Sequence, residues 1–179
     1  EEVGIVHFPG DDKTYSQILG NHSGEVTFIT QEKPLGYAHA IYSASNFTAG
    51  DAFLHLVGDH LYVDKGKISA AKHLINIAEK ENCSVSAVQP TRESQITRFG
   101  VIGGNRIAGS QDVYKIERVI EKPTPTEAEQ KLLIPGLRAG HYLCFYGMHV
   151  LSPVVMDIIA MLLDEKKDKK VTLSDALNL

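Results

Sequence analysis

Four short clusters in this sequence place chemically capable side chains beside turn residues. They are Gln31, Pro34 and Gly36 in "QEKPLGYAHA", Gly58-Asp59 in "LVGDH", Phe99-Gly100 in "FGVIGG", and Glu121-Lys122 before Pro123 in "VIEKP". Gly36 lacks the side chain that would hold a flat or anionic ligand away from the backbone, although the same glycine also suits a plain helix start. Asp59 at the end of an apolar run offers the hard oxygen that Mg²⁺ and a phosphate substrate need, or else caps the next segment. Glu121 and Lys122 are an anion and a cation at a strand end, which alone reads equally as an exposed ion pair. The glycines of "FGVIGG" read as turn glycines, because they lack the G-x-G-x-x-G order and the strand-to-helix setting of a dinucleotide loop.

Bulk properties remove several other chemistries. The chain has 179 residues, enough for one full-sized domain, and 18 Lys+Arg against 22 Asp+Glu give a net charge of −4. That balance lacks the basic excess of a nucleic-acid surface, so no nucleic-acid partner is expected. No apolar run approaches the roughly 20 residues that span a bilayer, and "EEVGIVHFPG" has no signal-peptide layout, so no membrane partner and a cytoplasmic location are expected. Cys83 and Cys144 lie far apart with no CxxC spacing and read as buried thiols. His55 and His60 flank Asp59, but strand alternation puts His55 on the face of Asp59 and His60 on the other, which argues against zinc.

The elements that must carry these clusters alternate. Apolar runs at Val3 to Phe8, Glu25 to Thr30, Asp51 to His60 and "CSVSAVQP" read as strands; Thr14 to Leu19, the residues after Gly36, and Ser69 to Glu81 read as helices. In the second helix Ala38, Ile41 and Tyr42 share a face. Strand–helix alternation predicts an α/β fold, a doubly wound, mostly parallel sheet with helices on both faces, in which ligands gather at strand carboxyl ends. A hairpin of Arg98 to Gly104 and Val113 to Pro123, turning around Gly103-Gly104-Asn105, interrupts the alternation. "TPTEAEQKL" opens a helix with a Thr cap, Gly140 to Leu151 reads as a long core strand, and "PVVMDIIAMLLDEKK" as an amphipathic helix with Pro153 in its first turn.

The order of the clusters carries more than any one of them. "QEKPLGYAHA", "LVGDH", "FGVI", "VIEKP", "GHYLCFYGMHVLS" and "TLSDAL" follow one another from about Val26 to Leu179. In this the chain resembles the sugar-phosphate nucleotidyltransferase family, and more closely its bacterial UTP:glucose-1-phosphate uridylyltransferases. The resemblance implies a sheet of the nucleotide-diphospho-sugar transferase type and a reaction in which glucose 1-phosphate attacks the α-phosphorus of UTP, giving UDP-glucose and pyrophosphate. It implies that Gln31 binds the pyrimidine edge, with Pro34 and Gly36 forming the loop beneath the base. His39 is the residue type that uridylyl members tend to carry where thymidylyl members tend to have Gln. Asp59 would hold Mg²⁺, Glu121 and the Gly100 backbone would bind the sugar, and Lys122 would neutralise the sugar phosphate.

Two parts of that family's pattern are not found here: the Gly-rich G-x-G-T-R loop that cradles the triphosphate, and a late strand ending in a second metal-binding Asp. The expectation is therefore a single nucleotidyltransferase domain over 1–179 that is the central piece of a longer enzyme, incomplete at both ends and inactive alone. The segment Thr124 to Ala139 looks longer than in relatives and is either an extra helix over the sugar site or an oligomer contact, so a homo-oligomer stays among the expectations. The alternatives are a thymidylyl or other-sugar member, or a non-catalytic sugar-nucleotide-binding or regulatory module. A glycosyltransferase is disfavoured, because Asp59 and Asp64 are too far apart for a D-x-D metal motif.

Overall fold

The computed structural model describes residues 2–19, 24–63, 66–166 and 170–179; Asp64 and part of the 164–170 charge run lie outside them. The chain divides into two compact units, 1–51 with 153–176, and 52–152 with 177–179.

In the first unit β1 (Glu2–His7) and β2 (Glu25–Thr30) pair in parallel from Glu2 opposite Glu25 to His7 opposite Thr30, with α1 (Asp12–Leu19) between them in sequence. α2 (Tyr37–Ser43) buries Ala38 and Ile41, whereas Tyr42, expected on the same face, is exposed. Across from it lies α6 (Pro153–Glu165), which buries Val155, Met156, Ile159 and Leu162 at helical spacing. A short α3 (Ser45–Thr48) and α7 (Leu173–Ala176) complete this unit. The "TLSDAL" segment caps α7 reciprocally: Thr172 N–H donates to Asp175 Oδ2 at 2.9 Å, and Asp175 N–H donates to Thr172 Oγ1 at 3.1 Å.

The second unit is organised around β7 (His141–Leu151). On one edge β7 pairs with β4 (Val85–Arg92); on the other it pairs with β3 (Phe53–Leu56) at Met148–Leu151 and with β5 (Gly100–Arg106) at Leu143 and Cys144. Every one of these pairings is antiparallel, and β6 (Tyr114–Glu121) is antiparallel to β5 as well. β3 and β4 still run the same way, as a β–α–β crossover through α4 (Ala70–Glu81) requires, but β7 has inserted between them. Thus the α/β class and strand directions match the sequence pattern, while direct parallel pairing in the described residues is that of β1 and β2. β3 is also shorter than the apolar run suggested, ending at Leu56 before a turn at Gly58-Asp59.

Alternation along β7 sends Tyr142 and Cys144 into a cluster with Ile96, Val101, Ala128 and Leu132, and Leu143 into another with Ile102, Val119 and Ile134. Ala128 and Leu132 come from the Thr124–Ala139 segment. Its helix α5 (Pro125–Lys131) starts with a full capping box between Thr124 and Glu127, so this stretch builds core.

The Gly103-Gly104 pair is not the hairpin turn. It lies inside β5 at a bulge opposite Ile116 and Arg118, and the chain reverses over 107–113. A Cβ on Gly103 would sit 2.7 Å from Lys131 O and 2.9 Å from Leu132 Cα, so the glycine is there to admit the end of α5. Cys144 is buried as expected. Cys83 is exposed, because α4 ends at Asn82 in a left-handed conformation and carries the next residue outward.

Candidate functional site

Gln31 continues the β1–β2 pairing by one residue, its N–H donating to His7 O at 2.8 Å, and its side chain is only 5% exposed. Nε2 of Gln31 donates to Gly36 O at 3.2 Å and lies 2.9 Å from Nδ1 of His39. A carbonyl oxygen can only accept, so the atom facing it is the amide nitrogen and the orientation of the Gln31 amide is fixed. The same nitrogen makes His39 Nδ1 an acceptor, which leaves the ring proton on Nε2. Between the two residues, Leu35 N–H donates to Lys33 O at 2.8 Å, a tight turn centred on Pro34 whose ring presets φ.

Gly36 has φ +107°, a backbone few other residues adopt, and a Cβ there would lie 3.2 Å from Val171 O and 3.3 Å from the Lys170 side chain. The room left by the missing side chain is therefore taken by the chain itself, and Ala38 N–H bonds Val171 O at 3.2 Å beside it. Gly36 therefore has a packing reason within the fold that the local sequence did not show.

In the second unit the ends of β3 and β5 come together along one edge of β7, and β6 adds the third cluster through its pairing with β5. β3 leaves that edge at Met148, and β5 joins it at Cys144, so the carboxyl end of β3 and the amino end of β5 approach the same three residues, 145–147. Val57 N–H bonds Gly147 O at 2.9 Å, and Asp59 follows two residues later, exposed. Gly100 opens β5 directly opposite Glu121 at the end of β6, and Lys122 N–H donates to Phe99 O at 2.9 Å. Gly100 is buried and presents backbone; Glu121 and Lys122 are exposed and present side chains. Lys122 has φ +49°, a left-handed backbone for a non-glycine residue that precedes the fully buried Pro123. Such strain persists only where neighbours over-determine it.

Asp59 lies in a turn beyond β3, so strand alternation does not relate it to His55. His55 instead pairs with His149 of β7, the rings stacked with centroids 6.1 Å apart, and His149 Nδ1 meets Ser86 Oγ at 2.8 Å. Burial holds both imidazoles neutral, with His55 lowered to about 4 and His149, beside it, to about 3. Among the described residues no group of three or more His, Cys, Asp and Glu is placed to hold a metal ion. A lone exposed carboxylate fits a cation that keeps most of its ligands as water and substrate phosphate, as Mg²⁺ does.

Sequence reasoning missed the residues that fasten the Asp59 turn. Tyr62 O–H donates to Gly147 O at 2.6 Å, and His60 Nδ1 lies 3.1 Å from Tyr146 O. The signal was present in "GDHLY", two hydrogen-bonding aromatic rings directly after the aspartate, but nothing local showed that their partner is β7.

A protein-family comparison matches residues 1–179 to Nucleotidyl transferase. The chain belongs to that family. Among curated relatives, the UTP–glucose-1-phosphate uridylyltransferase of Staphylococcus epidermidis is 29% identical over 163 residues, which is 91% of this chain and 50% of the relative. A Bacillus subtilis protein of the same name is 30% identical over 112 residues, 62% of this chain and 36% of the relative. The chain thus spans about half the length, or less, of these family members. Among solved structures, a UDP-glucose pyrophosphorylase complexed with UDP-glucose superposes with a TM-score of 0.80 over 99% of this chain and 68% of that one at 19% identity, which establishes the fold. Among the described residues no helix is long and apolar enough to cross a membrane.

Proposed function

We propose that this chain carries the uridylyl-transfer site of a UTP:glucose-1-phosphate uridylyltransferase. The observation that supports the reading is the pairing of Gly100 with Glu121, next to Lys122, at the end of β5 that approaches the same β7 residues as the chain leading into the Asp59 turn. Family membership makes nucleotidyl transfer the chemistry, and the names of the relatives point to uracil and glucose.

In this reading an oxygen of glucose 1-phosphate attacks the α-phosphorus of UTP. The new P–O bond forms as the bond from the α-phosphorus to the bridging oxygen of the β-phosphate breaks, and pyrophosphate departs in line. Lys122 offsets the negative charge of the sugar phosphate, which otherwise repels the triphosphate. Glu121 accepts hydrogen bonds from sugar hydroxyls, and the Gly100 backbone adds a second contact. The fixed Gln31 amide presents its carbonyl as acceptor and His39 presents Nε2–H as donor, a pair that complements the imide N–H and carbonyl of uracil. Asp59 is the residue that would hold Mg²⁺, which when bound supplies charge neutralisation on the phosphates. No nucleophilic side chain is required, because positioning and charge account for catalysis of this kind.

The test is to incubate the full natural chain with Mg²⁺, glucose 1-phosphate and each of UTP, dTTP, CTP and ATP, and to measure pyrophosphate and nucleotide sugar. UDP-glucose as the dominant product supports the proposal. A preference for dTTP or for another sugar phosphate moves the chain to a different member activity, and binding of UDP-glucose without turnover favours a non-catalytic module.

A further inference from the structure

The Asp59 turn follows a strand of four residues, and a turn on so short a strand needs outside anchors to hold a carboxylate in one place. Among the described residues, the hydrogen bonds that fasten it to the sheet fall on two consecutive residues of β7. Gly147 O receives Val57 N–H at 2.9 Å and Tyr62 O–H at 2.6 Å. Tyr146 O faces His60 Nδ1 at 3.1 Å, so that nitrogen carries the ring proton and donates. The two side chains also grip the Tyr146 ring: His60 stacks on it with centroids 5.3 Å apart, and Tyr62 meets it edge-on at 5.7 Å. Gly147 makes this possible, since it has φ +66° and the place of its missing Cβ is filled by the Val57 side chain and, at 2.8 Å, by His60 Nδ1.

Asp59 is thus bracketed two residues before, one residue after and three residues after by contacts to the same point on a core strand. A phenol is protonated at neutral pH, so Tyr62 donates to the Gly147 carbonyl there. We propose that His60 and Tyr62 are positioning residues that hold the Asp59 carboxylate where a divalent cation arriving with the sugar nucleotide must find it. This rests on the reading of Asp59 as the metal-binding carboxylate.

The experiment measures the gain in UDP-glucose affinity on replacing EDTA by Mg²⁺, by calorimetry on the full natural chain. Variants are Tyr62→Phe and His60→Phe, which keep an aromatic ring but lose its hydrogen bond, together with Asp59→Asn and the Asp59→Asn/Tyr62→Phe pair. The expected result is that Asp59→Asn removes the Mg²⁺ gain, that Tyr62→Phe and His60→Phe each cut it by about 10-fold, the scale of lost outer-shell support at metal sites, and that Tyr62→Phe adds nothing once Asp59 is Asn. An unchanged gain in Tyr62→Phe and His60→Phe, with the gain lost in Asp59→Asn, overturns the positioning role and leaves the metal reading standing. No Mg²⁺ gain in the wild type, or an intact gain in Asp59→Asn, overturns both.

Discussion

Gln31 donates from its amide nitrogen to Nδ1 of His39 across 2.9 Å, and the Gly36 carbonyl fixes which end of that amide does so. Two residues eight apart in sequence are thereby locked into one pattern, with an acceptor on Gln31 and a donor on His39. Gln31→Glu replaces the donating nitrogen with an acceptor that repels the Gly36 oxygen. Uridine-nucleotide affinity is expected to fall about tenfold or more, equivalent to ~1.4 kcal/mol, with glucose 1-phosphate binding unaltered; calorimetric titration of each ligand checks this.

Lys122 combines a proposed charge role with an unfavourable backbone. Left-handed geometry costs a non-glycine residue about 1–3 kcal/mol, and glycine escapes that cost while losing some unfolded-state advantage. Lys122→Gly is therefore expected to match or exceed the wild type in stability, by up to about 2 kcal/mol, while product formation collapses. Urea unfolding alongside the pyrophosphate assay separates the two; a clear loss of stability would contradict the strain argument.

Gly103 inside the β5–β6 hairpin and Gly58 outside it make a paired test of close packing. Alanine at 103 meets the backbone of Lys131 and Leu132, and a loss of about 1–3 kcal/mol is expected, whereas nothing lies within 4 Å of a Cβ at Gly58. Gly58→Ala should stay within about 0.5 kcal/mol of wild type. Equal denaturation midpoints for the two variants would refute the close approach of α5 to β5.

The stacked His55 and His149 make the fold sensitive to acid. Their folded values of about 4 and about 3 lie below the model-peptide value of 6.5, so the unfolded chain takes up protons first. This penalty is absent above pH 6.5 and grows as pH falls from there toward 4 and 3, at no more than ~1.4 kcal/mol per pH unit for each histidine. Urea midpoints should drop over that window. His149→Gln, which keeps a partner for Ser86 but does not titrate, should flatten the slope; an unchanged slope would remove His149 as its source.

Much of this architecture was legible in the sequence because it depends on local pattern. The helical pattern of Ser69 to Glu81 marked α4, and the Thr cap of "TPTEAEQKL" marked α5. What failed depends on partners distant in the chain. Nothing around Phe53–Leu56 shows that its neighbour is a strand nearly a hundred residues later running the other way. Nor does "VIGGN" show that Gly103 yields to Leu132, or "QEKPLG" that Val171 lies beside Gly36. The candidate site divides along the same line: Gln31, Asp59 and Lys122 stand out by type and by resemblance, while the clamp on Gly147 needed β7 in place.

The measurement that bears most directly on the proposed site is a calorimetric titration of UDP-glucose with Mg²⁺ into the full natural chain and into its Asp59→Ala/Lys122→Ala variant, with folding of both checked by circular dichroism. The expected result is saturable binding by the wild type that is lost in the folded variant. Equal binding by both proteins would contradict the assignment of the sugar-nucleotide site to the Asp59 turn after β3 and the paired ends of β5 and β6.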